Sequence, residues 1–264
     1  MTALYSWINP SYVAALFCVI ARISGVFISA PLFSNRAVPA RVKIAFVIVL
    51  SLILLPIVPQ HQLHLDFKSD LAIISILLVE VTIGLVLGFV AYLVFAAVQT
   101  AGELIGMQLG LGIATIFDPA NEGSAGIVTS LYVILGALMF LALDGHHLIV
   151  AGLVRSFEAA PLGSGLNLVS SEHLSAILSK SFASALQITI PLLVVSTVMN
   201  IVFGFITKLS PTMNIYFNTG FIIGPALGLV ILMLSLPLFR VIFTQLTEGM
   251  EPEMIRTIRT MKGM

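Results

Sequence analysis

The chain has 264 residues and a formal net charge of +0, from 12 basic and 12 acidic side chains, so there is no electrostatic case for nucleic acid binding. It is 59% hydrophobic and 9% charged, with a mean hydropathy of +1.11; soluble domains carry about a quarter charged residues, so this chain cannot clothe itself in a solvated surface. It reads as an integral membrane protein, and its lone Cys18 excludes an intrachain disulfide or a cysteine metal cluster.

From the N-terminus, residues 1–10 hold no Lys or Arg, so the charged start of a signal peptide is missing. Pro31 follows Phe27-Ile28-Ser29-Ala30 and disfavours cleavage there, so the first apolar run is expected to be retained. Apolar runs occupy Tyr12–Phe33, Val42–Val58, Leu71–Val98, Ile127–Val154, Phe182–Ile206 and Phe217–Phe243. A span needs about 20 residues, which predicts an all-α membrane protein of about six long helices. Pro10, Pro31, Pro39, Pro56, Pro191, Pro211 and Pro237 lie in or beside the runs and predict kinks or breaks. Leu71–Val98 is over-long and leads into the glycine-rich stretch described below, so it is expected to tilt or to extend beyond the bilayer.

Between the runs, Pro161-Leu162-Gly163-Ser164-Gly165 reads as a turn cluster, followed by a short amphipathic piece from Ser170 to Lys180 with Ser170 as its cap. The tail from Glu248 places Glu251 and Glu253 before Arg256, Arg259 and Lys262, an order that suits a short exposed helix. Arg36, Arg41 and Lys43 put the first connector in the cytoplasm, and the tail asks for the same side. Six full crossings would separate the two, so one run is expected not to cross.

The stretch from Gly102 to Pro119 is the natural place for a hairpin or re-entrant element. Gly102, Gly106 and Gly110 recur every fourth residue and would make a bare ridge on a helix. After Gly112 the chain passes Ile113, Ile116 and Phe117 before Asp118-Pro119 breaks it. An apolar, glycine-rich, breakable segment at membrane depth is tolerated only where protein buries it or where it lines a cavity. A second ladder, Gly220, Gly224 and Gly228, and a shorter one, Gly84 and Gly88, predict dense helix packing, internal or against other subunits.

Charged residues inside the runs are the candidate sites. Arg22, Glu80 and Asp144 are read as buried charges. A charge at the bilayer centre costs at least about 2.5–3.5 kcal/mol, so Arg22 and Glu80 should each face protein or water, preferably with a partner. They read as either a proton or ion relay or a lock between helices; the lock is favoured because no second acid accompanies Glu80 on its face. Asp144-Gly145-His146-His147 invites a metal or catalytic reading. Adjacent histidines point about 100° apart, however, and the sequence holds no zinc-protease helix motif, nucleophile elbow or phosphate loop. A helix-end turn or an interface hydrogen-bond site is the preferred reading. No cofactor, metal or catalytic residue is expected.

Taken in order, these features resemble the FliR family of flagellar biosynthesis proteins, together with the equivalent subunit of virulence type III secretion. The resemblance is carried by Arg22, Pro31-Leu32-Phe33, Val38-Pro39 and Lys43, then Gly102-Glu103-Leu104-Ile105-Gly106-Met107-Gln108 and Asp118-Pro119. It continues through Phe140-Leu141-Ala142-Leu143-Asp144-Gly145-His146-His147, Ser156-Phe157, Pro161-Leu162-Gly163, Ile190-Pro191-Leu192 and Leu209-Ser210-Pro211-Thr212-Met213-Asn214. Asp144 stands where the family often has Asn. The resemblance implies a core subunit of the flagellar type III export gate, in the bacterial inner membrane at the flagellar basal body. Its partners would be FliP and FliQ in a hetero-oligomeric ring of helical hairpins, with FlhB packed against it, and unfolded export substrates.

It further implies a FliP-like part, residues 1–155, joined to a FliQ-like part, residues 156–264. The segment from about Gly106 to Glu122 would be a plug, closing the pore with Met107, Leu109, Leu111, Ile113, Ile116 and Phe117 while Gly106, Gly110 and Gly112 let it move. Two competing classes are a stand-alone secondary transporter coupled through Arg22 and Glu80, and an intramembrane hydrolase using Asp144 and His147. The first lacks an evident repeat of broken helices, and the second lacks a nucleophile.

Overall fold

The computed structural model describes residues 10–34, 38–58, 70–109, 126–165, 169–209 and 221–263. Every regular element among them is helical: α1 (Pro10–Ser29), α2 (Pro31–Ser34), α3 (Ala40–Leu54) with a 3₁₀ turn (Leu55–Ile57), α4 (Asp70–Gln108), α5 (Ile127–Ala142), α6 (Gly145–Ala159), α7 (Ser171–Leu209), α8 (Phe221–Glu248) and α9 (Met250–Met261). Five stretches are long and apolar enough to cross a membrane, and the bent pair α5–α6 makes a sixth if counted as one span. The all-helical membrane architecture read from composition is therefore observed. Gly110, Leu111, Gly112, Ile113, Ile116, Phe117 and Gly220 lie outside the described residues, and Gly224 falls within α8.

Several boundaries differ from the sequence reading. α4 has 39 residues and absorbs Gly102 and Gly106; at 1.5 Å per residue it is about 58 Å long, nearly twice a bilayer core. α7, also 39 residues, takes in the amphipathic piece expected to stand alone. Ser170 caps it as expected, its Oγ accepting the His173 N–H at 3.3 Å. The run Ile127–Val154 is not one helix but two, α5 and α6, bent by 65° at a short break. Asp144 sits at that break with φ 55, a left-handed conformation that Asp and Asn tolerate better than other side chains. Prolines act unevenly: Pro31 opens α2 and Pro39 precedes α3, whereas α7 continues through Pro191 and α8 through Pro237.

The helices form two compact units, residues 1–93, 144–177 and 247–264 in the first and 94–143 and 178–246 in the second. In the first, α1 lies on α3, with Phe27 against Phe33 (4.4 Å between centroids) and Phe46 (5.9 Å). α1 meets α4 backbone to backbone: a Cβ on Gly25 would strike the Val81 carbonyl oxygen, one on Gly84 the Arg22 carbonyl oxygen, and one on Gly88 the Ser29 hydroxyl. Apolar burial drives little helix association in lipid, so such close packing carries much of the adhesion. Gly84→Val is expected to push α1 off α4 at a cost at or above the upper end of the usual 1–3 kcal/mol for overpacking (roughly). Membrane levels by immunoblot should fall severalfold, while Gly106→Ala, whose Cβ would meet only Val128 at 3.9 Å, should leave them unchanged.

The tail helix α9 corrects the expectation of an exposed helix. Its acid-first, base-last order is present, but Met250, Met254, Thr257, Ile258 and Met261 form a buried stripe, and α9 packs on α6. Met254 Sδ fills the space beside Gly152, Arg155 pairs with Glu251 at 2.8 Å, and His173 Nε2 lies 3.0 Å from Thr257 Oγ1. The second unit is held by aromatic packing of α4, α5 and α8: Phe95 on Phe140 at 5.2 Å, Phe95 edge-on to Phe243 at 6.4 Å, and Tyr132 edge-on to Phe239 at 5.1 Å.

Candidate functional site: a buried ion-pair lock and a clamped hairpin

Arg22 falls on the stripe of α1 that also buries Cys18, Val19, Ile23 and Val26, so its guanidinium is carried into the first unit. Three turns of α4 bring Glu80 beside it, because Gly25 and Gly84 let the two backbones touch. Arg22 Nε donates to Glu80 Oε2 at 2.6 Å, and both side chains are 0% exposed. Nη1 donates to Ser156 Oγ at 3.1 Å and Nη2 to the Ala160 carbonyl at 2.9 Å. The Phe157 ring centroid lies 4.4 Å from Cζ.

Glu80 has a second partner, as Oε1 accepts the Gly163 N–H at 3.1 Å. The local fold explains both backbone partners. Ala160 ends α6 in an extended conformation, and Gly163, at φ 73, takes a left-handed turn that a side chain would strain. The end of α6 and the turn cluster after it thus supply one backbone group each to a buried ion pair, the Ala160 carbonyl and the Gly163 N–H. α1, α4 and the end of α6 are tied at one point. Removing one partner of such a pair costs about 3–5 kcal/mol, because the other is left charged and buried.

Arg22 and Glu80 each have a partner, as expected, and it is each other. A relay needs a group that reaches water, and both side chains are sealed and hydrogen-bonded, which favours the lock. Ser156, Phe157, Ala160 and Gly163 were not foreseen as members of this site. The signal for three of them was present in two motif blocks: Ser156-Phe157 meets Arg22, and Pro161-Leu162-Gly163 meets Glu80 through the Gly163 N–H.

Asp144 does not belong with the buried charges; its side chain is 73% exposed, because it occupies the break between α5 and α6 rather than the interior of a helix. His147 Nδ1 lies 3.1 Å from Asp144 Oδ1, the hydrogen-bonded helix-end turn preferred from the sequence. Asp144, His146 and His147 offer donor atoms within 4.8 Å of one another. They stand at the N-terminal end of α6, whose partial positive charge opposes a cation.

At the glycine segment, the described residues form the root of a hairpin within the second unit. A Cβ on Gly102 would come within 2.7 Å of Thr129 Cα, so α4 and α5 are in backbone contact there, and Val128 lies beside Gly106. Leu109, buried, fills the space that a side chain on Gly228 of α8 would need. Met107 is 63% exposed at the end of α4. Gly102 and Gly228 are therefore true packing glycines, and Gly106 is not. The two ends of the segment 110–125 are held together by helices that cannot easily separate.

The fold and the sealed ion-pair lock define an all-helical, multi-span membrane protein whose buried charges hold helices together. The bacterial export proteins, family 1, match residues 13–250, and the chain belongs to that family. It is 33% identical over 237 residues to the flagellar biosynthetic protein FliR of Escherichia coli (strain K12), covering 88% of this chain and 86% of that one. It is 32% identical to FliR of Pectobacterium carotovorum subsp. carotovorum over 241 residues, 90% of each chain. FliR of Caulobacter vibrioides (strain ATCC 19089 / CIP 103742 / CB 15) is 32% identical over 234 residues, 88% of this chain and 92% of its own. The chain is a non-enzymatic component of the flagellar type III export apparatus of the inner membrane.

Proposed function

We propose that this chain assembles with FliP and FliQ into the ring of the export gate, with FlhB packed against it, and that its segment from about Gly106 to Glu122 plugs the channel through which unfolded flagellar proteins pass. The observation that carries this reading is the clamped root: Gly102 on Thr129 and Leu109 against Gly228 hold both ends of an apolar, glycine-rich segment on helices that resist separation. A finger rooted in this way can move without disturbing its base. Leu111, Ile113, Ile116 and Phe117, with the exposed Met107 beside the root, supply the apolar bulk that blocks ions by dewetting a constriction; Gly110 and Gly112 supply backbone freedom, and Leu109 belongs to the root rather than to the bulk. In this reading residues 1–155 are FliP-like and residues 156–264 FliQ-like, and exposed apolar faces such as Val42, Phe46, Val49 and Ile53 of α3 meet neighbouring subunits or lipid.

Subunit dependence tests the reading. Expressed alone, the chain is expected to be degraded or to aggregate, and co-expression with FliP should restore a monodisperse complex by size-exclusion chromatography. A stable, fully helical homo-oligomer of this chain alone would count against a gate subunit and in favour of a stand-alone transporter.

A further inference from the structure

We propose that the outer face of α8 around Arg240 is a binding site for one anionic phospholipid. Arg240 lies inside the apolar run of α8, is exposed, and makes no ion pair among the described residues. Residues 221–239 before it carry no charge. They span about 28 Å of helix, close to the hydrocarbon thickness of a bilayer of about 30 Å. Arg240 therefore falls at headgroup level when the uncharged stretch fills the core.

The surface around it is graded in the way a phospholipid is. A shallow groove of about 780 Å³ runs along one face of α8, with Met233, Leu236 and Pro237 on the core side of Arg240 and Thr244 and Gln245 beyond it. Met233 is 69% exposed and so offers an acyl chain an open apolar track. The Arg240 guanidinium presents a planar fork suited to phosphate oxygens. No acidic residue occurs between positions 233 and 247, so Arg240 is the one charged side chain lining the groove, and the nearest acid, Glu248, lies about two turns further along α8. Charge complementarity thus selects an anionic lipid over a zwitterionic one. Thr244 Oγ1 donates to the Arg240 carbonyl at 2.9 Å, which leaves its oxygen free to accept from a headgroup hydroxyl.

The test uses the chain in the assembly in which it is stable, in nanodiscs holding photoreactive phosphatidylglycerol or photoreactive phosphatidylcholine at equal mole fraction. Peptides covering 233–245 are then analysed by mass spectrometry. Phosphatidylglycerol is expected to label this stretch about fivefold more than phosphatidylcholine, the factor that about 1 kcal/mol per basic residue at an anionic surface gives. Arg240→Gln should abolish the preference and Arg240→Lys should keep part of it. Equal labelling by the two lipids in the unaltered protein would overturn the proposal, whether or not the Gln variant assembles. So would a carboxylate of a neighbouring subunit cross-linked to the Arg240 face.

Discussion

Arg22→Ala is expected to reduce recovery of the assembled complex at least tenfold. The change leaves Glu80 at 0% exposure with the Gly163 N–H in place of an ion pair, a loss of about 3–5 kcal/mol against a typical total stability of about 5–15 kcal/mol. Arg22→Lys should rescue little of it. One ammonium on a flexible stem cannot reach Glu80 Oε2, Ser156 Oγ and the Ala160 carbonyl together, nor stack on Phe157 as a guanidinium does. The double change Arg22→Met with Glu80→Met should recover more complex than either single neutralisation, because no unpaired charge stays buried. Yields can be compared by affinity purification from equal membrane mass. Normal assembly of the Lys variant would show that charge alone is needed; normal assembly of the Ala variant would show that the lock is dispensable.

The lock also shows where sequence reasoning runs out. That Arg22 and Glu80 need partners follows from the cost of a charge in an apolar helix; that they meet does not, since 58 positions separate them and Ser156 is 134 from Arg22. Helix class and number were legible because long uncharged runs admit few alternatives in lipid. Breaks were less so. Pro191 and Pro237 do not end their helices, as neighbours in a membrane protein can satisfy freed carbonyls, whereas Asp144-Gly145 ends one within an apolar run through a single left-handed residue. Asp144, read as a buried charge, is exposed because it sits at a helix break, and Arg240, inside the run Phe217–Phe243, is exposed as well. In the tail, the order of charges outweighed a stripe of Met250, Met254, Ile258 and Met261, whose helical spacing already marked a packed face.

Deleting Leu111 to Ile116 is expected to make cells leaky when the whole gate is expressed. The deletion removes the apolar bulk of the proposed closure and leaves its root at Gly102, Leu109 and Thr129 untouched. Dewetting of a narrow apolar constriction excludes ions, so widening it should admit water and small ions first and larger solutes afterwards. Growth should slow, and uptake of a small fluorescent solute should rise severalfold over cells with the unaltered gate. The effect should vanish without FliP, since no pore then forms. A packing role without closure would instead lower complex yield and leave permeability unchanged.

Conductance of the purified complex in a planar bilayer separates closure from every indirect effect on growth. Complexes of the unaltered chain and of the Leu111–Ile116 deletion are matched for subunit content before reconstitution, so that assembly is held constant. The unaltered complex should be silent, and the deletion complex should show discrete, long-lived ionic currents. A fully assembled deletion complex with conductance no higher than the unaltered one would contradict closure by this segment and move the seal to other subunits of the ring.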